Sequence, residues 1–365
     1  MKRVVVSVLS VALMLACSAA AATPSLAGTI HKRQMLTVAV RAVLASGAPG
    51  AEAMIRRGGR TDAVTAGYAN LASHTRMTPQ DKVRIGSITK TFVAVVALQL
   101  VAADQIGLDD TVETRLPGLL PSAGQVTVRQ LLNHTSGIPD YLDQISQMYA
   151  SQPGSVLLHW EPSQLVGLVA SKSLLFAPGT SFSYSNTDYI LIGMIIQRVT
   201  GQPLAHEIQA RILDPLELRH SSFPTDDTNV PAPAASGYVQ GPGGTPLDVT
   251  AFNPSAVWAA GAMISTLEDT ADFYRTLLTG GLLPAEQLNQ MLTYVAAGGF
   301  AYGLGIFQVA TPCGPAIGHN GAVLGYVTDV FTSPDGKRQV SLAANMVSAQ
   351  TLQAQEAQIG RLFCG

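Results

Sequence analysis

Hydrophobic spacing along this chain changes period twice, and the changes divide it. Between Lys32 and Ala45, the residues Leu36, Ala39, Val40, Val43 and Leu44 recur at helical spacing, and Gly47-Ala48-Pro49-Gly50 ends the run. Ala51 to Ile55 and Val64 to Tyr68 then read as two strands of a hairpin around Arg57-Gly58-Gly59-Arg60. From Thr91 to Val101 the pattern is apolar on every side: Phe92, Val93, Val95, Val96, Leu98, Leu100 and Val101 predict a helix buried all round. Gly86 and Ser87 stand at its start, and serine is a favoured first residue there. The stretch from Asp104 to about Gly299 is mostly helical. Thr127 begins a short helix that Ser136-Gly137-Ile138-Pro139 stops, and a second runs from Tyr189 to Val199 before Thr200-Gly201. Residues 267–278 and 285–292 are also helical, whereas Pro224 to Pro254 reads as a long surface loop. Strand patterns return at Tyr302 to Val309, Gly325 to Thr332 and Gln339 to Asn345, with Ser333-Pro334-Asp335-Gly336-Lys337 as a hairpin turn. Thr351 to Phe363 closes the chain as a helix.

Strands at both ends with helices between them predict an α+β fold. The N-terminal hairpin pairs with the C-terminal strands in one antiparallel sheet, flanked by the N- and C-terminal helices. A mostly helical lobe is inserted. The sheet lobe takes about residues 28–84 and 300–365, and the helical lobe about 85–299, as a single domain 28–365. The buried helix begins where the chain leaves the sheet, so its N-terminus should face the cleft between the lobes.

Composition narrows the function. Charged residues are 13% and the net charge is −2, so a basic footprint for nucleic acid is absent. Met1-Lys2-Arg3, an apolar run from Val4 to Ala16, and a small-residue stretch ending Pro24-Ser25-Leu26-Ala27 have the layout of a cleaved secretory signal, residues 1–27. No later run is long enough to span a membrane. The protein is therefore expected to be secreted or periplasmic. Removal of the leader takes Cys17 and leaves Cys313 and Cys364, which should pair in an oxidising compartment. The seven histidines lack metal-ligand spacing, so neither metal nor cofactor is expected.

Three segments carry candidate chemistry. Ser87 and Lys90 are three apart at a helix start, so a hydroxyl and an amine share one face. Tyr184-Ser185-Asn186 follows a loop stiffened by Ala177-Pro178-Gly179 and can present a phenol and an amide to one cleft. Gly318-His319-Asn320-Gly321-Ala322 lies just before a strand, where two glycines permit close backbone approach. His319 would add a donor or a charge near Ser87. His134, in Asn133-His134-Thr135-Ser136-Gly137, reads as part of a capped helix end and is assigned no chemistry.

Together and in this order, the segments resemble the penicillin-recognising serine hydrolases, on the branch of class C β-lactamases and secreted D-alanyl-D-alanine carboxypeptidases. The resemblance covers nearly the whole chain after the leader. It implies that Ser87 is an acylated nucleophile, that Lys90 or Tyr184 is its base, and that Tyr184 carries the proton to the leaving group. It further implies that Asn186 binds the acyl amide, that His319 replaces a third-motif lysine, and that the Ser87 and Ala322 N–H groups form an oxyanion hole. Trp258 would wall the cleft, Asn320 and Gly321 would contact substrate, and Cys313 and Cys364 fall where the carboxypeptidase has a disulfide. Phe307, Asn320 and Ala322 replace the arginine and two threonines that grip a substrate carboxylate in that enzyme. The leading expectation is a monomeric carboxypeptidase-like hydrolase of D-amino-acid peptides, including a peptidoglycan stem peptide, that also binds penicillin. An esterase, a D-peptidase or a β-lactamase on the same fold are the alternatives, and a non-catalytic penicillin-binding sensor represents a different class. The departures favour ester or amide substrates over free-carboxylate peptides.

Overall fold

Glycine at both corner positions reverses the chain after Arg57: Gly58 and Gly59 have φ of +56° and +81° and join strand β1 (Gly50–Arg57) to β2 (Arg60–Asn70). The computed structural model describes residues 26–365, so the expected leader lies outside the described residues except for its last two positions. Helix α1 (Leu26–Ala45) precedes this hairpin, and the two-residue strand β3 (Thr75–Arg76) extends it. The remaining strands of the sheet come from the other end of the chain. They are β4 (Val295–Ala296), β5 (Ala301–Tyr302), β6 (Phe307–Thr311), β7 (Gly314–Val323), β8 (Tyr326–Thr332) and β9 (Arg338–Ala344). The sheet order is β3-β2-β1-β9-β8-β7-β6-β5-β4, and β1 joins the two ends by pairing antiparallel with β9 from Ala51↔Ala344 to Arg57↔Arg338. This is the α+β arrangement that the pattern predicts.

Two layers cover the sheet. On one face α1 and the last helix (Ala349–Cys364) enclose Leu36, Val40, Val43, Ile55, Phe331, Leu342, Leu362 and Phe363. On the other lies the helical lobe, centred on α2 (Thr89–Ala102), whose residues from Thr89 to Leu98 are all buried. Phe92 stacks at 3.7 Å on Phe273 of the helix Leu267–Leu278, which packs on β8 and β9. Thr127 caps α3 (Val128–Leu132) through a reciprocal box with Gln130, and Gly201 ends α4 (Asn186–Thr200) in the left-handed conformation.

Two expectations need correction. The Gly318–Ala322 segment is not a lead-in to a strand but the second half of β7, which the pattern missed. With Gly314, Pro315, Gly318 and Gly321, it carries only Ile317 and Val323 of the branched and aromatic residues that mark strands. Pro224 to Pro254 is also not wholly loop, because Tyr238–Gln240 and Pro246–Asp248 form a small sheet with Met346–Val347.

The Cys313–Cys364 disulfide ties the β6–β7 turn to the end of the last helix across 51 residues. Closing a loop of that size contributes an upper figure of about 4 kcal/mol. Protein purified and mapped without reductant should yield the linked peptide, and Cys364→Ser should lower Tm by several degrees; two alkylatable thiols would refute the pair. Asp329 is buried in β8 beneath the last helix, and burial, reinforced by Glu356, pushes its carboxyl up to about 7. A folded pKa above the unfolded one means that its stabilising effect is complete below about pH 4 and fades as pH rises through 7. Asp329→Asn should therefore be more stable than wild type at pH 8, with the difference closing at pH 4; equal melting curves at both pH values would contradict this.

Candidate active site

Ser87 is held by a backbone contact that two glycines make possible. Val83–Arg84 pairs with Ile264–Ser265, the Ile85 N–H donates to Met263 O, and Gly86 (φ +52°) turns the chain into a tight turn, Gly86–Ile88, that runs into α2. A Cβ on Gly86 would lie 3.0 Å from the Ala322 backbone, and one on Gly321 would lie 1.9 Å from Ile85 O and 3.1 Å from Ser87 N. The β6–β7 pairing ends at Phe307↔Gly318, so residues 319–323 leave an edge for this approach. Ser87 does not cap α2, as its type suggests. The helix start carries no side-chain cap, and the hydroxyl points into a cleft of about 380 Å³. Larger depressions exist, such as the groove of about 590 Å³ beside Arg33, Arg41 and Arg361, but none of their lining residues belongs to this cluster.

Lys90 is completely buried. Its Nζ donates to Ser87 Oγ (3.2 Å), Asn186 Oδ1 (2.8 Å) and the Ala260 carbonyl (2.8 Å), which occupies all its donors, and lies 4.8 Å from the Tyr184 ring centre. Burial lowers its pKa to about 7, with Asp140 and Asp188 pulling the other way. A lysine in this state is neutral in about half of molecules at pH 7 and can take a proton from Ser87.

Tyr184 and Asn186 enter from the loop before α4. Burial pushes the Tyr184 phenol above its usual range while Ser87 pulls it down, and the hydroxyl completes no hydrogen bond within normal geometry among the described residues. It is a protonated donor facing the serine. Asn186 is clamped at both ends: Oδ1 accepts from Lys90 and Nδ2 donates to Asp140 Oδ2 at 2.7 Å. Beneath Tyr184 lies His134, with ring centres 4.3 Å apart. His134 Nδ1 lies 2.9 Å from Asp188 Oδ2, whose other oxygen accepts from Ser136 at 2.6 Å, and the His134 carbonyl accepts from Ser183 N–H. Burial is the largest influence on both, lowering the imidazole and raising the carboxyl. The residue assigned no chemistry is thus the floor that orients Tyr184. Its small polar neighbours Thr135 and Ser136 are the signal that could have found it. Asp140 gave no such signal.

Ser87, Tyr184, Asn186, Asn320 and Ala322 all line the cleft, along with Leu142, Val257, Ala260, Gly261, Phe300 and Val323. Gly321 is buried and acts through close approach. Trp258 does not wall the cleft: it is buried, and its ring fills the notch at Gly193 of α4, leaving Val257 and Ala260 to line the cleft. His319 is not a cation beside the serine either. Strand alternation turns it away from the side of Asn320 and Ala322, its Nε2 meets the Tyr302 hydroxyl at 3.0 Å, and burial lowers its pKa to about 3. Phe307 packs against that imidazole at 5.0 Å rather than entering the cleft. Among the described residues, no metal-binding cluster is present and no helix is long and apolar enough to cross a membrane.

The fold has counterparts among known proteins. Over 88% of this chain and 98% of the other, the fold superposes on a D-stereospecific amidohydrolase from Streptomyces sp. with TM-score 0.81 and 37% identity. A D-amino acid amidase from Ochrobactrum anthropi SV3 matches over 91% and 97% with TM-score 0.80 and 27% identity. Among curated sequences, esterase EstB of Burkholderia gladioli is 34% identical over 38% of this chain and 38% of its own length. Protein flp of Staphylococcus aureus (strain MW2) is 31% identical over 48% of this chain and 35% of its own. The chain thus spans little more than a third of these curated relatives. Residues 36–361 match the family described as Beta-lactamase, and the chain belongs to that family of serine hydrolases.

Proposed function

We propose that this protein hydrolyses amides or esters of D-configured acyl groups through an acyl-enzyme on Ser87. The observation that carries the reading is Lys90, buried, lowered to a pKa of about 7 and 3.2 Å from Ser87 Oγ. Neutral Lys90 removes the Ser87 proton as the oxygen attacks the acyl carbon. The Ser87 and Ala322 N–H groups, brought together by Gly86 and Gly321, receive the oxyanion. Tyr184 donates its proton to the departing amine or alkoxide as the acyl–heteroatom bond breaks, and Lys90 returns a proton to Tyr184. Water then attacks the ester carbonyl by the same relay run in reverse. Lys90 is the better base of the two, because Tyr184 is held protonated and Lys90 is not.

Amide or ester substrates are favoured over carboxypeptidase substrates by charge. A leaving group that ends in a carboxylate needs a cation in the cleft. His319 is uncharged, Phe307 is elsewhere, and no lysine or arginine lies among the lining residues. Likeness to the Streptomyces amidohydrolase over nearly that whole chain supports the same class. Leu142, Val257, Phe300 and Val323 suit an apolar acyl side chain. D-Alanyl-D-alanine carboxypeptidase activity is the second reading, carried by the motif set alone. Export fits the disulfide, which persists in oxidising compartments.

Intact mass should show one acyl adduct after treatment with penicillin or an N-acyl p-nitrophenyl ester, and none in Ser87→Ala. With the N-acyl ester, the acylation rate should climb from pH 5, bend near 7 and stay flat to 9, while Lys90→Ala should lose about a hundredfold or more at the plateau. A rate independent of pH would remove Lys90 as the base. An acyl-D-Ala C-terminal amide should be cleaved at least about tenfold faster, in kcat/KM, than the matching D-Ala-D-Ala free acid, from the loss of one charge-assisted contact. A tenfold preference for the free acid would restore the carboxypeptidase reading.

A further inference from the structure

We propose that Asp140 anchors a free α-ammonium group on the acyl part of the substrate, so that the enzyme selects unprotected D-amino-acid amides and esters over N-acylated ones. The inference rests on the acyl-serine reading of the same cleft and adds the substrate's charge.

Three charged or chargeable groups stand behind the cleft wall, and two are already committed. Lys90 has given all three N–H groups to Ser87, Asn186 and Ala260. Asp188 is wholly enclosed and shares its contacts between His134 and Ser136. Asp140 differs. It is half-buried, its Oδ1 accepts from Leu142 N–H at 2.9 Å, and its Oδ2 accepts from Asn186 Nδ2 at 2.7 Å. A carboxylate has about four acceptor sites, so each oxygen retains one. No salt bridge holds Asp140 among the described residues, although Leu142 and Asn186, the residues that clamp it, both line the cleft.

The position suits an α-nitrogen. Asp140 acts electrostatically on both Lys90 and Tyr184, so its field reaches the reacting atoms. The resemblance gives Asn186 to the acyl amide, which puts the acyl group on its side of the cleft. Asn320 and Ala322 come from the opposite wall, on β7. An α-amino nitrogen is two bonds from the attacked carbon and belongs to the Asn186 side. With no cation in the lining, an unpaired carboxylate makes the cleft attractive to ammonium and repellent to a free carboxylate. One charge thus accounts for both preferences. The groups facing Asp140 are Lys90 from α2, Asp188 from α4, Tyr184 from the preceding loop and Tyr141 from its own segment. An α-amino group titrates near pH 8, so with free-amine substrates the rate should fall again above that pH.

The test compares D-phenylalaninamide with N-acetyl-D-phenylalaninamide, and the matched p-nitrophenyl esters, on wild type, Asp140→Asn and Asp140→Glu. Wild type should favour the free amine in kcat/KM by about ten- to a hundredfold at pH 7, the effect of one charge-assisted hydrogen bond. Asp140→Asn keeps an oxygen for Leu142 N–H but loses the acceptor for Asn186 Nδ2, so turnover should fall with both substrate types, and about ten- to a hundredfold further with free amines, which erases the preference. The alkaline fall should appear with free amines and be absent with N-acetyl substrates. Equal losses on both substrate types would show that Asp140 merely holds Asn186 and would overturn the proposal, as would a wild-type preference for N-acetyl. If Asp140→Asn does not fold, retention of the preference in Asp140→Glu together with the wild-type alkaline limb supports the anchor, and absence of that limb overturns it. Ester discrimination without amide turnover would end the amide reading and leave the anchor standing. Failure of every substrate to acylate Ser87 would end both.

Discussion

The contact between β7 and the turn before α2 governs the rest of the site. A strand from one end of the chain and a helix start from the middle approach until Gly321 touches Ile85 and Gly86 touches Ala322. Neither position has room for a Cβ, and at Gly86 the backbone itself is left-handed. The Ser87 and Ala322 amides become neighbours for that reason. The pairing of β1 with β9 makes the approach durable, because it ties both ends of the chain into one sheet.

Against that fixed serine, the lobe's other contribution is a lysine kept between charge states. Enclosure by α2, α4 and the Ala260 segment removes water from Nζ, which disfavours the ammonium. Two carboxyl groups and three acceptors oppose that effect. Neither influence wins outright, and a pKa of about 7 follows. The same enclosure acts on Tyr184 in the opposite chemical sense and holds its proton in place. In the mechanism we propose, one dry pocket therefore supplies a base and an acid side by side.

In the function we propose, the neutral wall of β7 is what separates this site from a carboxylate-binding one. Its histidine points at Tyr302 rather than at the cleft, and its exposed positions carry Asn320 and Ala322. The hydrogen-bonded pair Asn186 and Asp140 comes from the opposite side. Specificity in such a cleft depends on where the unpaired charge sits, while the acylation machinery is left unchanged.

Much of this was legible in the chain itself. The fully apolar run after Thr91, the Gly58-Gly59 corner and the Thr127 cap are local patterns, and they formed the elements they predict. The spacing of Ser87 and Lys90 likewise sets their contact, since three residues along a helix start determine it. Tertiary structure decided what depends on distant neighbours. The facing of His319 required knowing that Gly318–Ala322 lies inside a strand, which its glycines concealed. Trp258 turned inward because Gly193, sixty-five residues earlier, leaves a notch for its ring. The pKa of Lys90 and the placing of Asp140 and His134 behind the site depend on desolvation and contacts summed over segments far apart in sequence. Spacing determines which atoms of one element share a face; only the packed fold determines which faces meet and what water they exclude.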